Sequence, residues 1–283
     1  RFLRAKMLFV GFPTCEELYI GVSPEENPQE IMGRALAELY RLSKKEMVSA
    51  ILFYNLAEKH GALAKYLAKN GFAKMNSFPN SAIEINAPSI DDYIDGLGKN
   101  TRKNIRKKVK EASMLKELKI EIVENIDDIK DRVYQLYMNN FTDSEVHFET
   151  LTPEFFVNIS RNMPGVAKFF IVRDEKDIIS FNLLFIKGKT AIDKFIGFDK
   201  ELSHKYHLYY VTFVNNIEYC IKNGLRFYQM GITDYKPKIR LGAKLVPLYI
   251  YVKLLNPFLN IFSKIIARFV EPERFDPGLK DLR

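Results

Sequence analysis

The side chains best suited to chemistry fall within residues 190–242. The run Ala191–Phe198 reads as an apolar strand that contains one acid, Asp193, and has Gly197 near its end. Further along, a loop carries a phenol and three cations: Tyr235, Lys236, Lys238 and Arg240. Ammonium and guanidinium groups pair well with phosphate. The combination therefore suits a phosphate-bearing acyl carrier.

A helix must position these two groups of residues. It is predicted from Tyr206 to Lys222 and ends at Asn223-Gly224, a common helix exit. Its N-terminus offers unpaired backbone N–H groups and a partial positive charge, so the turn before Tyr206 could hold a pyrophosphate. An ordinary strand–helix–strand unit with a solvated basic loop explains the same pattern, and the residues leave both interpretations open.

Composition sets the outer limits. The chain has 283 residues, of which 47% are hydrophobic, enough for one large core or two ordinary ones. We expect neither a membrane-spanning segment nor a secretory leader. Two well-separated cysteines predict a reducing, cytoplasmic compartment, and four unclustered histidines argue against a metal site. The net charge of +8 predicts an anionic partner: a cofactor, a membrane surface or nucleic acid.

The order of elements predicts a mixed α/β fold. Three strands, at 167–173, 178–187 and 190–198, are separated by turns short enough to make them an antiparallel meander. The meander leads into the helix described above and then into a further strand at 225–230. The N-terminal part of the chain also alternates strands and helices.

A short internal sequence repeat, called the internal echo below, predicts a duplicated domain. The sequence Lys-Asn-Gly occurs at 69–71 and again at 222–224, each time at a helix end and before an apolar strand. Because the two occurrences fall at comparable places, we predict two related halves, 1–125 and 126–283, whose helix-plus-strand units are equivalent.

A basic stretch lies between the two predicted halves. Lys99–Lys110 holds seven Lys and Arg residues and no acid, and Arg102, Arg106 and Lys110 share one helical face. We predict a long connecting helix with a solvated basic face. Two alternatives stay open: the cations bind nucleic acid through its phosphates, or they border an active-site cleft and hold an anionic substrate.

The C-terminal stretch 256–270 predicts an amphipathic helix. Lys264 and Arg268 lie opposite a strongly apolar side. That side is formed by Phe258, Ile261, Phe262, Ile265, Ile266 and Phe269. We expect it to dock on the protein's own core, with a membrane interface as the alternative.

From about Phe72 to Lys253, the chain resembles the two-domain, Fem-like branch of the GNAT superfamily of acyltransferases. The meander, the Asn223-Gly224 helix exit, the strand closing on Gly231 and the loop after it carry the resemblance. Further similar segments are Asp92–Leu97 followed by Arg102, Ile105 and Arg106, and Leu151–Phe156. The glycine-rich pyrophosphate loop of ordinary GNAT proteins is represented here by Gly197 alone.

The resemblance implies two tandem GNAT-like domains joined by the long basic helix, with a site in the cleft between them. It implies transfer of an acyl group from acyl-CoA, acetyl or longer, to an amine of a small molecule or a cell-envelope precursor. The Fem-like branch also offers an amino acid from charged tRNA as donor. The rival from another class is a non-catalytic protein that uses the basic helix on nucleic acid or anionic lipid.

The resemblance also implies roles for individual residues. Such chemistry needs a base for the acceptor amine and an acid for the leaving group, and Asp193 and Tyr235 are the candidates. The expected donor site comprises Gly197, His204, Lys205, Tyr206, Lys236 and Arg240. The expected acceptor site comprises Arg102, Arg106, His147 and Glu149. We expect no metal, and a cytoplasmic location with peripheral membrane contact through the basic helix and the C-terminal helix as an alternative.

Overall fold

A computed structural model describes residues 5–12, 15–115, 118–143, 150–175, 177–267, 269, 271–274 and 277–280. The chain divides into two compact units. Unit 1 comprises residues 1–80, 232–236 and 245–283, and unit 2 comprises 81–231 and 237–244. The sequence placed the division at 125/126. The observed division differs because most of the C-terminal segment belongs with the N-terminal strands.

The described strands form two sheets. They are β1 Met7–Val10, β2 Ala50–Ala57, β3 Ala73–Asn76, β4 Asn80–Glu84, β5 Leu118–Val123, β6 Ala167–Asp174, β7 Asp177–Lys187, β8 Thr190–Phe198, β9 Phe227–Gln229, β10 Lys244–Val246 and β11 Leu248–Leu254. One sheet has the order β1-β2-β11-β3, and the other has the order β10-β4-β9-β8-β7-β6-β5. Both sheets mix parallel and antiparallel pairs. The predicted mixed α/β fold is confirmed.

Helices and two short 3₁₀ turns, Glu58–His60 and Pro272–Arg274, connect these strands. The helices are α1 Pro28–Lys45, α2 Gly61–Lys69, α3 Ile90–Asp95, α4 Lys99–Leu115, α5 Lys130–Asp143, α6 Pro153–Asn162, α7 Lys200–Lys205, α8 Leu208–Lys222, α9 Tyr235–Arg240, α10 Pro257–Ile266 and α11 Pro277–Lys280. None among the described residues is long and apolar enough to cross a membrane.

The central part of unit 2 follows the prediction closely. Strands β6, β7 and β8 form the antiparallel meander, and α8 returns the chain so that β9 runs parallel to β8. One local element differs. The predicted turn 199–205 contains α7, because the Asp199 carboxylate accepts hydrogen bonds from the backbone N–H groups of Glu201 and Leu202 and so caps a helix. Helix α8 therefore begins at Leu208 rather than Tyr206.

The basic helix is present as α4, but it lies wholly within unit 2. Its narrow apolar stripe consists of Ile105, Val109 and Ala112. Ile105 is fully covered and packs in one core cluster with Phe213 and Ile217 of α8. Helix α4 is thus a packed element of unit 2. It does not connect unit 1 to unit 2 as the prediction of a linker helix expected. The reason is that the apolar stripe, although narrow, finds a partner helix within the same unit.

The internal echo is a repeated helix exit rather than a repeated domain element. At both sites the glycine has positive φ, 85° at Gly71 and 59° at Gly224, and the next N–H bonds back to the last helical turn. However, α2 leads to β3 at the edge of one sheet, where β11 separates it from β2, whereas α8 leads to β9, directly beside β8. The predicted equivalence of the two helix-plus-strand segments is wrong, because their strands occupy different positions in two different sheets.

The C-terminal helix α10 also contradicts its expectation. Its large apolar residues Phe258, Ile261, Phe262 and Ile265 are exposed, while Ser263 is buried. The apolar side does not dock on the core, because the opposite side of the helix packs inward: Asn260 bonds Leu254 and Gly71, and Ser263 is buried.

Gly197 has a packing requirement that predicts a stability effect. A Cβ atom there would lie 2.4 Å from the Phe181 ring and 2.6 Å from the Leu136 carbonyl oxygen of α5. We expect Gly197→Ala to lower the free energy of unfolding by about 1–3 kcal/mol through overpacking. Urea denaturation would measure this change. Gly61→Ala is the matched control, since a Cβ atom at Gly61 meets nothing within 4 Å. Equal stability of both variants would contradict the proposed close approach of α5 to β8.

Candidate active site

The parallel pair β8 and β9 separates in the middle of unit 2. Their pairing covers only Thr190–Ile192 of β8 against Phe227–Gln229 of β9, although β8 continues to Phe198. From residue 193 onward, β8 is therefore no longer paired with β9. Residues just beyond this point can reach a ligand without interrupting the sheet.

Asp193 lies at the point of separation. Its side chain is half-buried, and each carboxylate oxygen accepts a hydrogen bond. The Asn182 amide donates to one oxygen at 2.6 Å, and the Tyr228 hydroxyl donates to the other at 2.5 Å. Two donors from the two neighbouring strands fix the orientation of the carboxylate.

Asn216 of α8 completes a buried polar network. Its amide nitrogen donates to the Asn182 side-chain oxygen at 2.6 Å and to the Tyr228 hydroxyl oxygen at 2.9 Å. All three residues that support Asp193 are fully buried. Because an unpaired polar group in the interior costs about 1–3 kcal/mol, each member of the network depends on the others.

The electrostatics keep the supporting groups protonated. Burial foremost, and then the Asp193 carboxylate, raises the pKa of Tyr228 well above its ordinary value. Burial and the same carboxylate raise the pKa of the Cys220 thiol to about 12. Tyr228 is therefore a neutral phenol at physiological pH and donates its proton in the hydrogen bond to Asp193.

A β-bulge follows Asp193. The pairing with β7 shifts between Leu184, opposite Asp193, and Leu183, opposite Phe195, so Lys194 is the extra residue. The Asn182 amide also donates to the Phe195 backbone carbonyl at 3.1 Å. The bulge changes the direction of β8 immediately beyond the candidate base.

Helix α5 occupies the end of β8. The Asn140 side chain donates to the Ile196 carbonyl at 3.0 Å and accepts from the Phe198 N–H at 3.3 Å. Asn139 donates to the Phe198 carbonyl at 3.0 Å. These amides bond the backbone groups that a further strand would otherwise use, so the polar edge of β8 is satisfied here without a ligand.

The predicted donor residues fall into two environments. Gly197 is buried against Phe181 and α5, and Tyr206 is buried with its hydroxyl donating to Asp174 at 2.9 Å. His204 and Lys205 are exposed on α7. Both Gly197 and Tyr206 thus have packing roles, while His204 and Lys205 are accessible to an anion. Their part in binding a donor stays a prediction.

The start of α8 is formed differently from an open phosphate-binding turn. His207 precedes the helix in a left-handed conformation, with φ of 49°. Its imidazole nitrogen lies 3.1 Å from the Glu111 carboxylate of α4. This contact places an acid beside the helix N-terminus that the sequence assigned to pyrophosphate.

The loop after Gly231 contains α9, and its residues have different surroundings. Lys238 is buried with its ammonium donating to the Met230 carbonyl. Arg240 is exposed and borders a cavity of about 430 Å³. The other lining residues come mainly from α4 and α8: Asn100, Thr101, Asn104, Tyr209, Tyr210, Pro237 and Leu241. Lys236 is exposed. Of the predicted donor cations on this loop, Arg240 is the one that borders this cavity.

Tyr235, the candidate acid, is buried, and its hydroxyl donates to the Pro79 carbonyl at 2.9 Å. Tyr235 and Lys236 belong to unit 1, whereas Asp193 belongs to unit 2. No single unit therefore contains both the candidate acid and the candidate base.

The predicted acceptor residues are partly described. Arg102 donates to the Asp95 backbone carbonyl at 2.8 Å, and Arg106 pairs with the Asp95 carboxylate at 2.9 Å. His147 and Glu149 lie outside the described residues. Within the described ranges, no group of three or more His, Cys, Asp or Glu side chains could hold a metal ion.

Three residues of the network were missed by sequence reasoning: Asn182, Asn216 and Tyr228. A signal was present for the two asparagines. Asn182 interrupts the apolar run of β7, and Asn216 lies on the face of α8 that also carries Phe213 and Cys220. Because buried polar side chains are almost always paired, two such asparagines and one strand acid could have been joined into one hypothesis.

Comparison with known proteins finds a similarity over the segment that contains this site. Residues 99–238 match the family model described as an acetyltransferase (GNAT) domain. A protein of two Mycobacterium tuberculosis strains, named 8-amino-7-oxononanoate synthase 2, is 28% identical over 142 residues, which cover 46% of this chain. The aligned region spans only 18% of that protein's length.

Solved structures share the fold at low sequence identity. FemX superposes with a TM-score of 0.63 at 12% identity, covering 92% of this chain and 82% of FemX. The C-terminal domain of a lysylphosphatidylglycerol synthetase from Agrobacterium fabrum gives 0.59 at 14% identity, covering 86% and 79%. A tandem GNAT protein from the clavulanic acid biosynthesis pathway gives 0.50 at 14% identity, covering 83% and 73%. The predicted resemblance to GNAT acyltransferases is confirmed for residues 99–238, which contain Asp193 and the three residues of its network, and the solved structures share the fold.

The network predicts a pH dependence of stability. In the unfolded chain the Cys220 thiol ionises near its ordinary value of 9.0, whereas the folded protein retains the proton up to about pH 12. Between these values the unfolded state has fewer bound protons, so stability falls as pH rises. We expect Cys220→Ala to reduce this loss by up to about 1.4 kcal/mol per pH unit. Denaturation at a series of pH values measures the two slopes. Cys15, which is exposed, provides the control as Cys15→Ala. Identical slopes for wild type and Cys220→Ala would contradict the burial of this thiol.

Proposed function

We propose that this chain transfers an acyl group to an amine nitrogen and that the Asp193 carboxylate accepts the proton of the attacking amine. The observation that carries the proposal is the position of Asp193 where β8 and β9 separate, held by Asn182 and Tyr228. A general base must have a fixed position and a free lone pair. The two hydrogen bonds fix its position, and a carboxylate oxygen can accept more than one hydrogen bond.

The reaction balances as a nucleophilic substitution at a carbonyl. The amine nitrogen bonds to the acyl carbon, the bond to the leaving group breaks, and the amine proton passes to Asp193. The leaving thiolate or alkoxide then takes up a proton. Tyr235 was the candidate acid for that step. Its hydroxyl donates to the Pro79 carbonyl, so donation to a leaving group requires that bond to be exchanged.

For the donor we propose acyl-CoA. The supporting residues are Arg240, which is exposed beside a cavity of about 430 Å³, and the exposed His204 and Lys205 on α7. These side chains can pair with phosphate oxygens. Gly197 and Tyr206 fit this role less well, because both are engaged in packing. The acceptor amine belongs to a small molecule or a cell-envelope precursor, and we propose a cytoplasmic location.

A second candidate donor is an aminoacyl-tRNA. Two observations favour it. A short helix, α7, takes the place of a glycine-rich pyrophosphate loop, and the exposed face of α4 carries Lys103, Arg106, Lys107 and Lys110. A row of cations on one helix can neutralise successive phosphates of a nucleic acid.

The first test of the proposal concerns the base. We expect Asp193→Asn to lower kcat by about 10²- to 10⁴-fold, the usual contribution of general base catalysis, with little change in the donor KM. Steady-state kinetics with an acyl-CoA series and a panel of amines would measure the effect. Asp177→Asn is the control, because this acid is exposed at the turn between β6 and β7. Full kcat in Asp193→Asn would remove the base from this position.

The second test concerns the donor. A cation that pairs with phosphate does so in the ground state and in the transition state alike, so Arg240→Ala should raise the KM for acyl-CoA and leave kcat unchanged. Lys236→Ala tests the second predicted cation, and Lys130→Ala, at an exposed site on α5, is the control.

Thermal unfolding with CoA and with tRNA distinguishes the two donors, since a ligand of the folded state must raise the Tm. If tRNA raised the Tm and CoA did not, acyl-CoA would be rejected as the donor in favour of aminoacyl-tRNA.

A further inference from the structure

Helix α10 is attached to unit 1 by its polar side. The Asn260 side chain accepts from the Leu254 N–H and donates to the Gly71 carbonyl, both at 3.0 Å. Ser263 is buried and its hydroxyl donates to the Asn260 carbonyl at 2.8 Å, and Ala267 is buried one turn further on. These three positions form one stripe at helical spacing, so the packed face of α10 is polar or small.

The opposite face is apolar and open to solvent. Phe258, Ile261, Phe262 and Ile265 are between 53% and 78% exposed. Phe269, just beyond the helix, is also exposed. Helices on a protein surface normally place such residues inward. A contiguous exposed group of large apolar side chains marks an interaction surface.

A cavity of about 770 Å³ adjoins the N-terminal end of α10, bordered by Pro257 and Asn260 and by the C-terminal end of α1. The fully buried Ser43 hydroxyl lines it and has no hydrogen-bond partner within the part of the chain that the structure describes. A buried hydroxyl without a partner is unusual and indicates that something else satisfies it.

Two ammonium groups line the same cavity. Lys253 is half-buried and donates to the Tyr40 hydroxyl and the Asn70 carbonyl, both neutral acceptors at 2.7 Å. Lys44 is exposed. No carboxylate is among the described residues that line the cavity. Among the described lining residues, the two ammonium groups are therefore not balanced by a carboxylate, and the cavity lies beside an exposed apolar surface.

We propose that α10 and this cavity form a docking surface for a bilayer that contains anionic phospholipid. The exposed side chains of α10 enter the boundary between headgroups and acyl chains, and the cavity takes an anionic headgroup between Lys44, Lys253 and Ser43. At ten residues α10 is about 15 Å long, far too short to span a membrane, so it lies in the plane of the interface.

Charge favours the bilayer over a second copy of this chain. A symmetric dimer through α10 would bring the same cations, Lys44, Lys253 and the exposed Lys264, towards their own copies in a chain of net charge +8. A membrane rich in anionic lipid offers both negatively charged headgroups for the cations and an apolar interior for the exposed side chains of α10. The inference does not rest on acyl transfer, because binding needs neither donor nor acceptor.

Vesicle flotation with the full chain tests the proposal. Vesicles of phosphatidylcholine alone are compared with vesicles that also contain phosphatidylglycerol. We expect strong binding only to the second kind. The double variant F258Q/F262Q should weaken it more than about tenfold, because two large side chains no longer leave water. Lys44→Gln should weaken it about fivefold and leave the weak binding to phosphatidylcholine unchanged.

Two controls make the result decisive. Met114→Gln changes an exposed apolar residue of α4 in unit 2, and Lys130→Gln changes an exposed cation of α5. Both should bind vesicles as the wild type does, and all variants should keep the wild-type Tm. Failure of the wild type to float, or equal losses in Met114→Gln, would overturn the proposal. So would a dimer, seen by analytical ultracentrifugation without lipid, that F258Q/F262Q disperses.

Discussion

The Asp193 carboxylate, held inside unit 2 by one amide and one phenol, is the interaction on which the arrangement of β7, β8, β9 and α8 depends. It accepts hydrogen bonds from the two strands beside β8, from Asn182 of β7 and Tyr228 of β9. Asn216 of α8 in turn donates to both of these side chains. A shift of any one of these elements by one residue would leave several buried polar groups unpaired, at about 1–3 kcal/mol each. The network therefore specifies the register of the sheet as well as the position of a charge.

The same strand meets a second constraint from its other end. Gly197 lets α5 approach so closely that a methyl group would overlap the Leu136 backbone, and Asn139 and Asn140 then bond the edge of β8. The glycine that the sequence suggested for phosphate binding is thus explained by helix packing. The stretch around Asp193 and the bulge at Lys194 lies between the last residue of β8 that pairs with β9 and the residues that Asn139 and Asn140 bond. In the proposed reaction, the acyl group would lie beside this short stretch of β8.

The features that could be predicted from the sequence are those determined by nearby residues. The meander followed from short turns and alternating patterns, and the two Lys-Asn-Gly helix ends followed from the left-handed preference of glycine. The features that could not be predicted depend on distant residues. Strand β11 pairs with β2 and β3, which precede it by between 173 residues (Tyr249 with Asn76) and 204 residues (Leu254 with Ala50), and the sequence of Leu248–Leu254 does not identify those partners. A clear local pattern also led to a wrong prediction: the two matching helix ends suggested a repeated domain, but the strand orders of the two sheets do not contain such a repeat.

Helix α10 shows why a strong amphipathic pattern fixes the existence of a helix but not its orientation. The pattern alone favoured burial of the phenylalanines, since burial of apolar surface is the main driving force of folding. The structure instead packs the polar stripe inward: the Asn260 side chain bonds Leu254 and Gly71, and Ser263 is buried beside it. Such an orientation leaves the large apolar side chains of α10 exposed to water, and the proposed bilayer would cover them. Helix α10 belongs to unit 1 and the Asp193 network to unit 2.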